Sequence, residues 1–63
     1  MFLNFQFRVH NSDEIVFRLI NMDYVVGVAP NEKEEGSILV FEEGRDMTVI
    51  DDYESIIERL NAK

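Results

Sequence analysis

The side chains that could carry out chemistry are few and widely separated in this sequence. His10 is the only histidine, and the nearest acid in the sequence is Asp13. Acid–base catalysis or metal binding by histidine requires partner groups that hold the imidazole. His10 falls instead on the polar side of an alternating segment, which is typical of a surface histidine near a turn. We therefore assign no catalytic or metal-binding role to it.

Three acidic residues near the end of the chain, Asp51, Asp52 and Glu54, raise the question of a cation site. Calcium usually takes about 6–8 oxygen ligands from a loop with a glycine turn, and the EF-hand spacing is missing here. A helix start explains the same residues, with Asp51 as the N-cap and Glu54 completing a capping box. We predict no metal site and no cofactor.

Other catalytic patterns are also missing from the sequence. It has no phosphate-binding glycine loop, nucleophile elbow, zinc-ligand spacing or catalytic triad. Cysteine is absent, which rules out disulfides and thiolate metal sites and is compatible with a reducing cytoplasm. We therefore predict a non-enzymatic, cytoplasmic protein with no membrane-spanning segment, since no apolar run approaches the roughly 20 residues that a span needs.

The last third of the chain predicts a β-hairpin followed by an amphipathic helix. Two apolar runs, 38–41 and 47–50, flank a polar link in which Gly44 supplies the positive φ of a type I turn with a glycine bulge. The apolar period then changes to i, i+3, i+4 and i+7, which is one face of a helix. The residues of that face are Tyr53, Ile56, Ile57 and Leu60.

The first half of the chain predicts three further strands. Residues 3–9 and 15–20 alternate around a polar turn. Residues 24–29 form a third strand that ends at Pro30, and Gly27 within it indicates a bulge or a close approach of the backbone. The predicted fold class is α+β: a small, bent antiparallel sheet or partial barrel in the order β-β-β-β-β-α, with one C-terminal helix. Residues 1–63 form a single domain.

The chain has more apolar side chains than one helix can cover. The run Ile38–Phe41 offers side chains to both faces of a sheet, and others fall opposite their strand's main apolar set. A curled barrel would bury both sets, whereas an exposed set would serve a homodimer or a protein partner. We predict a homodimer that binds a protein partner through an apolar docking face, and we assign to this face Val16, Ile20, Leu39 and Phe41.

The charge of the chain suggests an alternative function. Thirteen acidic residues against six basic ones give a formal net charge of −7, which disfavours direct contact with nucleic acid or anionic membranes. Acidic residues on a loop and a hairpin turn could form a patch that binds a basic groove of a host protein. A phage anti-defence inhibitor or a nucleic-acid mimic would act in this way. The candidate residues are Glu32, Glu34, Glu35, Glu42, Glu43 and Asp46.

From Met22 to Leu60 the chain resembles the small flagellar FlbD/SwrD-like proteins and similar short bacterial and phage proteins. The matching pieces are Met22-Asp23 before Tyr24-Val25-Val26, then 37–40 with the turn 43–45, then 48–50 and 52–57. The acidic loop 31–35 and the aromatic first strand depart from that pattern. The resemblance implies an accessory protein that acts through protein contacts, and it transfers no site residue.

Overall fold

The computed structural model describes residues 1–62 and contains five strands and two helical segments. The strands are β1 (Phe2–Arg8), β2 (Ile15–Asn21), β3 (Val25–Pro30), β4 (Ser37–Phe41) and β5 (Asp46–Val49), and the helix α1 is Tyr53–Asn61. A 3₁₀ turn, Met22–Tyr24, joins β2 to β3. The predicted α+β class and element order are confirmed.

The strands form two antiparallel sheets, one of β1 and β2 and one in the order β3-β4-β5. The sequence predicted a small bent antiparallel sheet or partial barrel, and the structure divides these strands between two sheets. A backbone hydrogen bond connects the two sheets, in which the Ile50 N–H donates to the Gln6 carbonyl at 2.8 Å. The core lies between the sheets and α1, and its fully buried members are Phe5, Leu39, Val49 and Ile56.

Local chemistry sets most of the turns as the sequence predicts. Gly44 has φ +90°, and the hydrogen bonds Gly44 N–H to Phe41 carbonyl and Phe41 N–H to Arg45 carbonyl are those of a type I turn with a glycine bulge. The β3–β4 register shifts between Val25 and Gly27, so of the two interpretations of Gly27 the structure shows the bulge.

The predicted helix cap is wrong by one residue. The N-cap is Asp52, whose side chain makes no capping hydrogen bond, and the first helical residue is Tyr53. The carboxylate of Asp51 is instead engaged with β1, as described below. The capping-box pattern is recognised from sequence spacing alone. It therefore gives no information about a residue distant in the chain that binds the same carboxylate.

Candidate interaction surface

The pairing of β1 with β2 decides which side chains of β2 face the core. Leu3, Phe5 and Phe7 of β1 point inward, and Phe5 is fully buried. Residues directly opposite in an antiparallel pair share a face. The register pairs Leu3 with Ile20 and Phe7 with Val16, so the even-numbered residues of β2 face inward and the odd-numbered ones face outward.

The outward side of β2 carries a row of large apolar residues, Ile15, Phe17 and Leu19, which we call the outer stripe. Phe17 and Leu19 are 64% and 65% exposed, and Ile15 is exposed as well. The β1 residues directly opposite them are polar or charged, because the register places Asn4, Gln6 and Arg8 opposite Leu19, Phe17 and Ile15. An apolar centre beside polar residues is the arrangement found at protein interfaces.

The four residues predicted to form the docking face lie on the inner sides of their strands. Leu39 is fully buried, so it has no surface with which to contact a partner in this fold. Ile20 and Phe41 are half-buried and pack against the core, and Val16 is half-buried opposite Phe7. The docking face is therefore corrected: on β2 the exposed apolar residues are those of the outer stripe.

The length of the first hairpin turn explains this difference. Side chains alternate with period two, so a register one residue different would have turned Phe17 and Leu19 inward. The turn spans the hydrogen bond from the Val9 N–H to the Glu14 carbonyl, with Asn11 at φ +59°. This geometry also places Arg18 on the inner side, where its guanidinium carbon lies 5.7 Å from the centroid of the Phe7 ring.

The predicted acidic patch is divided between the two ends of β4. Glu32, Glu34 and Glu35 lie in the loop before this strand, and the second group lies in the turn after it and at the start of β5. A five-residue strand separates these ends by roughly 17 Å. The second group is Glu42, Glu43 and Asp46.

The acidic loop also adjoins a basic residue. Glu34 and Glu35 line a shallow depression together with Arg8 of β1 and Thr48 of β5. A guanidinium in this depression offsets part of the negative potential at the first end of β4. The six acidic residues are all exposed, but they do not form a single patch of one sign.

Asp51 holds the first sheet against the second sheet and the helix. Its Oδ1 accepts a hydrogen bond from the Gln6 N–H at 2.7 Å, and its Oδ2 accepts one from Nη2 of Arg59 at 3.1 Å. Arg59 also donates from Nη1 to the Asn4 carbonyl at 2.6 Å, and its guanidinium carbon lies 5.0 Å from the Phe5 ring centroid. These contacts fix β1 and therefore the orientation of the outer stripe.

Groups that could bind a metal or perform catalysis are dispersed. His10 is exposed near the first turn, and Asp51 of the acidic trio is committed to β1 and Arg59. Within residues 1–62, no cluster of three or more His, Cys, Asp or Glu could hold a metal ion. No helix among these residues has the length and apolarity to cross a membrane.

Comparison with known proteins returns no relative: no family model, no curated protein and no solved structure matches this chain.

Proposed function

We propose that the chain is a small, non-enzymatic interaction module that binds a protein partner through the outer stripe. The observation that carries the proposal is the exposure of Phe17 and Leu19 side by side on one face of a strand. Soluble proteins usually keep such apolar groups covered, and contiguous exposed ones mark interaction sites. We expect the module to act in the cytoplasm, and the absence of cysteine is compatible with that location.

The strand that carries the stripe is well suited to present it rigidly. β1 and β2 pair over seven consecutive residues without a bulge. The contacts of Asp51 and Arg59 then fix β1 to the rest of the molecule. A preorganised surface loses less conformational entropy on binding than a mobile one.

A substitution in the stripe tests this proposal. Leu19→Asp should abolish retention of the partner in a pull-down from the native host followed by mass spectrometry, because it places a charge within the apolar contact. Val26→Asp is the matched control, since Val26 is 66% exposed and lies on β3. Retention that is unchanged by Leu19→Asp, or lost equally with both variants, would contradict the proposal.

A second candidate function is binding to a basic groove, as an anti-defence inhibitor or nucleic-acid mimic would do. Its support is the distribution of charge: residues 1–21 hold two arginines and two acidic residues, so the whole formal charge of −7 falls in residues 22–63. Such binding would weaken steeply with added salt. The division of the acidic residues between two ends of β4 favours the first proposal.

Kinship of residues 22–60 with the FlbD/SwrD-like proteins, and the accessory role that it implies, remain predictions. A flagellar accessory role would agree with the interaction module, since both act through protein contacts. Motility genes beside the gene would support this assignment, whereas prophage genes would favour the inhibitor.

A further inference from the structure

The ends of the β1–β2 ladder show which backbone groups of β2 point away from β1. The Val9 N–H donates to the Glu14 carbonyl, and the Met22 N–H donates to the Met1 carbonyl. Hydrogen-bonded and non-hydrogen-bonded pairs alternate along an antiparallel ladder. Residues 16, 18 and 20 therefore bond to β1, and the outer stripe directs its N–H and C=O groups to the free edge of β2. The stripe thus offers apolar side chains and unpaired backbone together.

β2 and β3 are edge strands of the two sheets, and they differ in how their free edges are protected. β3 is interrupted by the bulge between Val25 and Gly27 and ends at Pro30, which has no N–H to donate. β2 has no bulge and no proline over its seven paired residues. Natural proteins commonly blunt exposed edges with such features or with charged residues. The single charge within β2 is Arg18 on its inner side, so this edge is the less protected of the two and is a template for another strand.

We infer that the free edge of β2 pairs with β2 of a second copy, antiparallel and centred on Phe17. This contact goes beyond the proposed function, because it uses the backbone edge of β2 and leaves the side chains of the outer stripe free for a partner protein. A two-fold axis at Phe17 sets Ile15 of each copy opposite Leu19 of the other, so the apolar residues of both copies form one face. On the inner face, Val16 meets Arg18, and no like charges are opposed.

Neighbouring registers are less favourable. A two-fold axis at Arg18 would place the two Arg18 side chains directly opposite each other in a non-hydrogen-bonded pair, where side chains are closest and the two positive charges would repel. An axis at Val16 would place Leu19 opposite Asp13 of the second copy. A register that placed odd-numbered residues of one copy opposite even-numbered residues of the other would also fail. The free backbone groups of the first copy would then face groups that are already hydrogen-bonded to β1 in the second.

The charge distribution permits this association despite the acidic composition. The hairpin that contains β2 is formally neutral, with Arg8 and Arg18 balancing Asp13 and Glu14. The repulsive charge lies on the other part of each molecule and is screened over distances beyond about 10 Å at ordinary salt. Because one strand edge covers less area than a standard interface, the dimer should depend on protein concentration.

Edge pairing would extend the docking surface without covering it. Strand addition uses the backbone in the plane of the sheet, whereas side chains stand above and below it. The four-stranded sheet β1-β2-β2-β1 would therefore carry two outer stripes side by side. A partner protein would meet twice the apolar face that one copy presents.

Single cysteines in this cysteine-free chain test both the pairing and its register. In the proposed register, residue 15 of one copy faces residue 19 of the other at a Cα distance of about 5.5 Å, within the range of a disulfide. Identical positions are separated by roughly 14 Å, which is too far. We expect Ile15→Cys mixed with Leu19→Cys to give several-fold more cross-linked dimer in a glutathione buffer than either variant alone.

The outcomes separate this inference from the proposed function. Equal cross-linking in the three samples, or none in any of them, would overturn the pairing. The pull-down with Leu19→Asp and Val26→Asp would still test the proposed function independently, because a monomer can also bind a partner protein through the stripe. Sedimentation of the unmodified chain should show a species approaching twice 7.4 kDa as concentration rises, and a monomer at every concentration would likewise overturn the pairing.

Discussion

Gly36→Ala is expected to lower the free energy of unfolding by about 3–5 kcal/mol. Gly36 lies before β4 with φ +100°, and a Cβ there would stand 2.1 Å from the Val49 carbonyl oxygen. That oxygen belongs to the backbone of β5 and cannot rotate away as a side chain could. A domain of 63 residues has a total stability of about 3–9 kcal/mol, so a large unfolded fraction should appear.

Gly44→Ala is the matched control for this prediction. Gly44 also has a positive φ, of +90°, but a Cβ added there meets nothing within 4 Å. Its expected cost is only the left-handed conformation of alanine, about 1 kcal/mol. Urea unfolding followed by far-ultraviolet circular dichroism measures both values. Equal losses for the two variants would contradict the close contact between Gly36 and β5.

Asp51→Ala should lower the free energy of unfolding by about 2–3 kcal/mol. The change leaves the Gln6 N–H without its acceptor and removes the ion pair from Arg59. The Asp51 side chain is only 9% exposed, so water replaces its contacts poorly. Arg59 is 32% exposed and regains some hydration, which keeps the loss below that of a fully buried pair.

The neighbouring residue supplies the control for Asp51. Asp52→Ala removes a carboxylate of the same size from the N-cap position, where it makes no side-chain hydrogen bond. Its cost should be below about 1 kcal/mol, from the helix dipole and the cap preference. Thermal unfolding at neutral pH should rank the two variants in this order. The reverse order would contradict the contacts of Asp51 with β1 and Arg59.

The local elements could be predicted from the sequence because their signals are local. The glycine turn at Gly44, the bulge at Gly27 and the helical period of Ile56 and Leu60 depend on residues that are close in the chain. The close approach of Gly36 to Val49 joins residues distant in sequence. No pattern around Gly36 distinguishes a required glycine from an ordinary loop residue.

The apolar docking surface illustrates a different limit. Ile15, Phe17 and Leu19 alternate as a core-facing set would, and the intervening Arg18 strengthens that interpretation. Their direction depends on the register with β1, which a turn one residue longer or shorter would reverse. Composition could indicate an excess of apolar side chains, but not which set remained exposed.

The orientation of β2 is the premise of the whole account, and one comparison of stabilities tests it. Ile20→Ser should lower the free energy of unfolding by about 1–3 kcal/mol, because Ile20 is half-buried against the core. Leu19→Ser should change it by less than about 0.5 kcal/mol at low protein concentration, because Leu19 is exposed. If Leu19→Ser is the more destabilising substitution, the outer stripe faces the core, and no docking surface exists on β2.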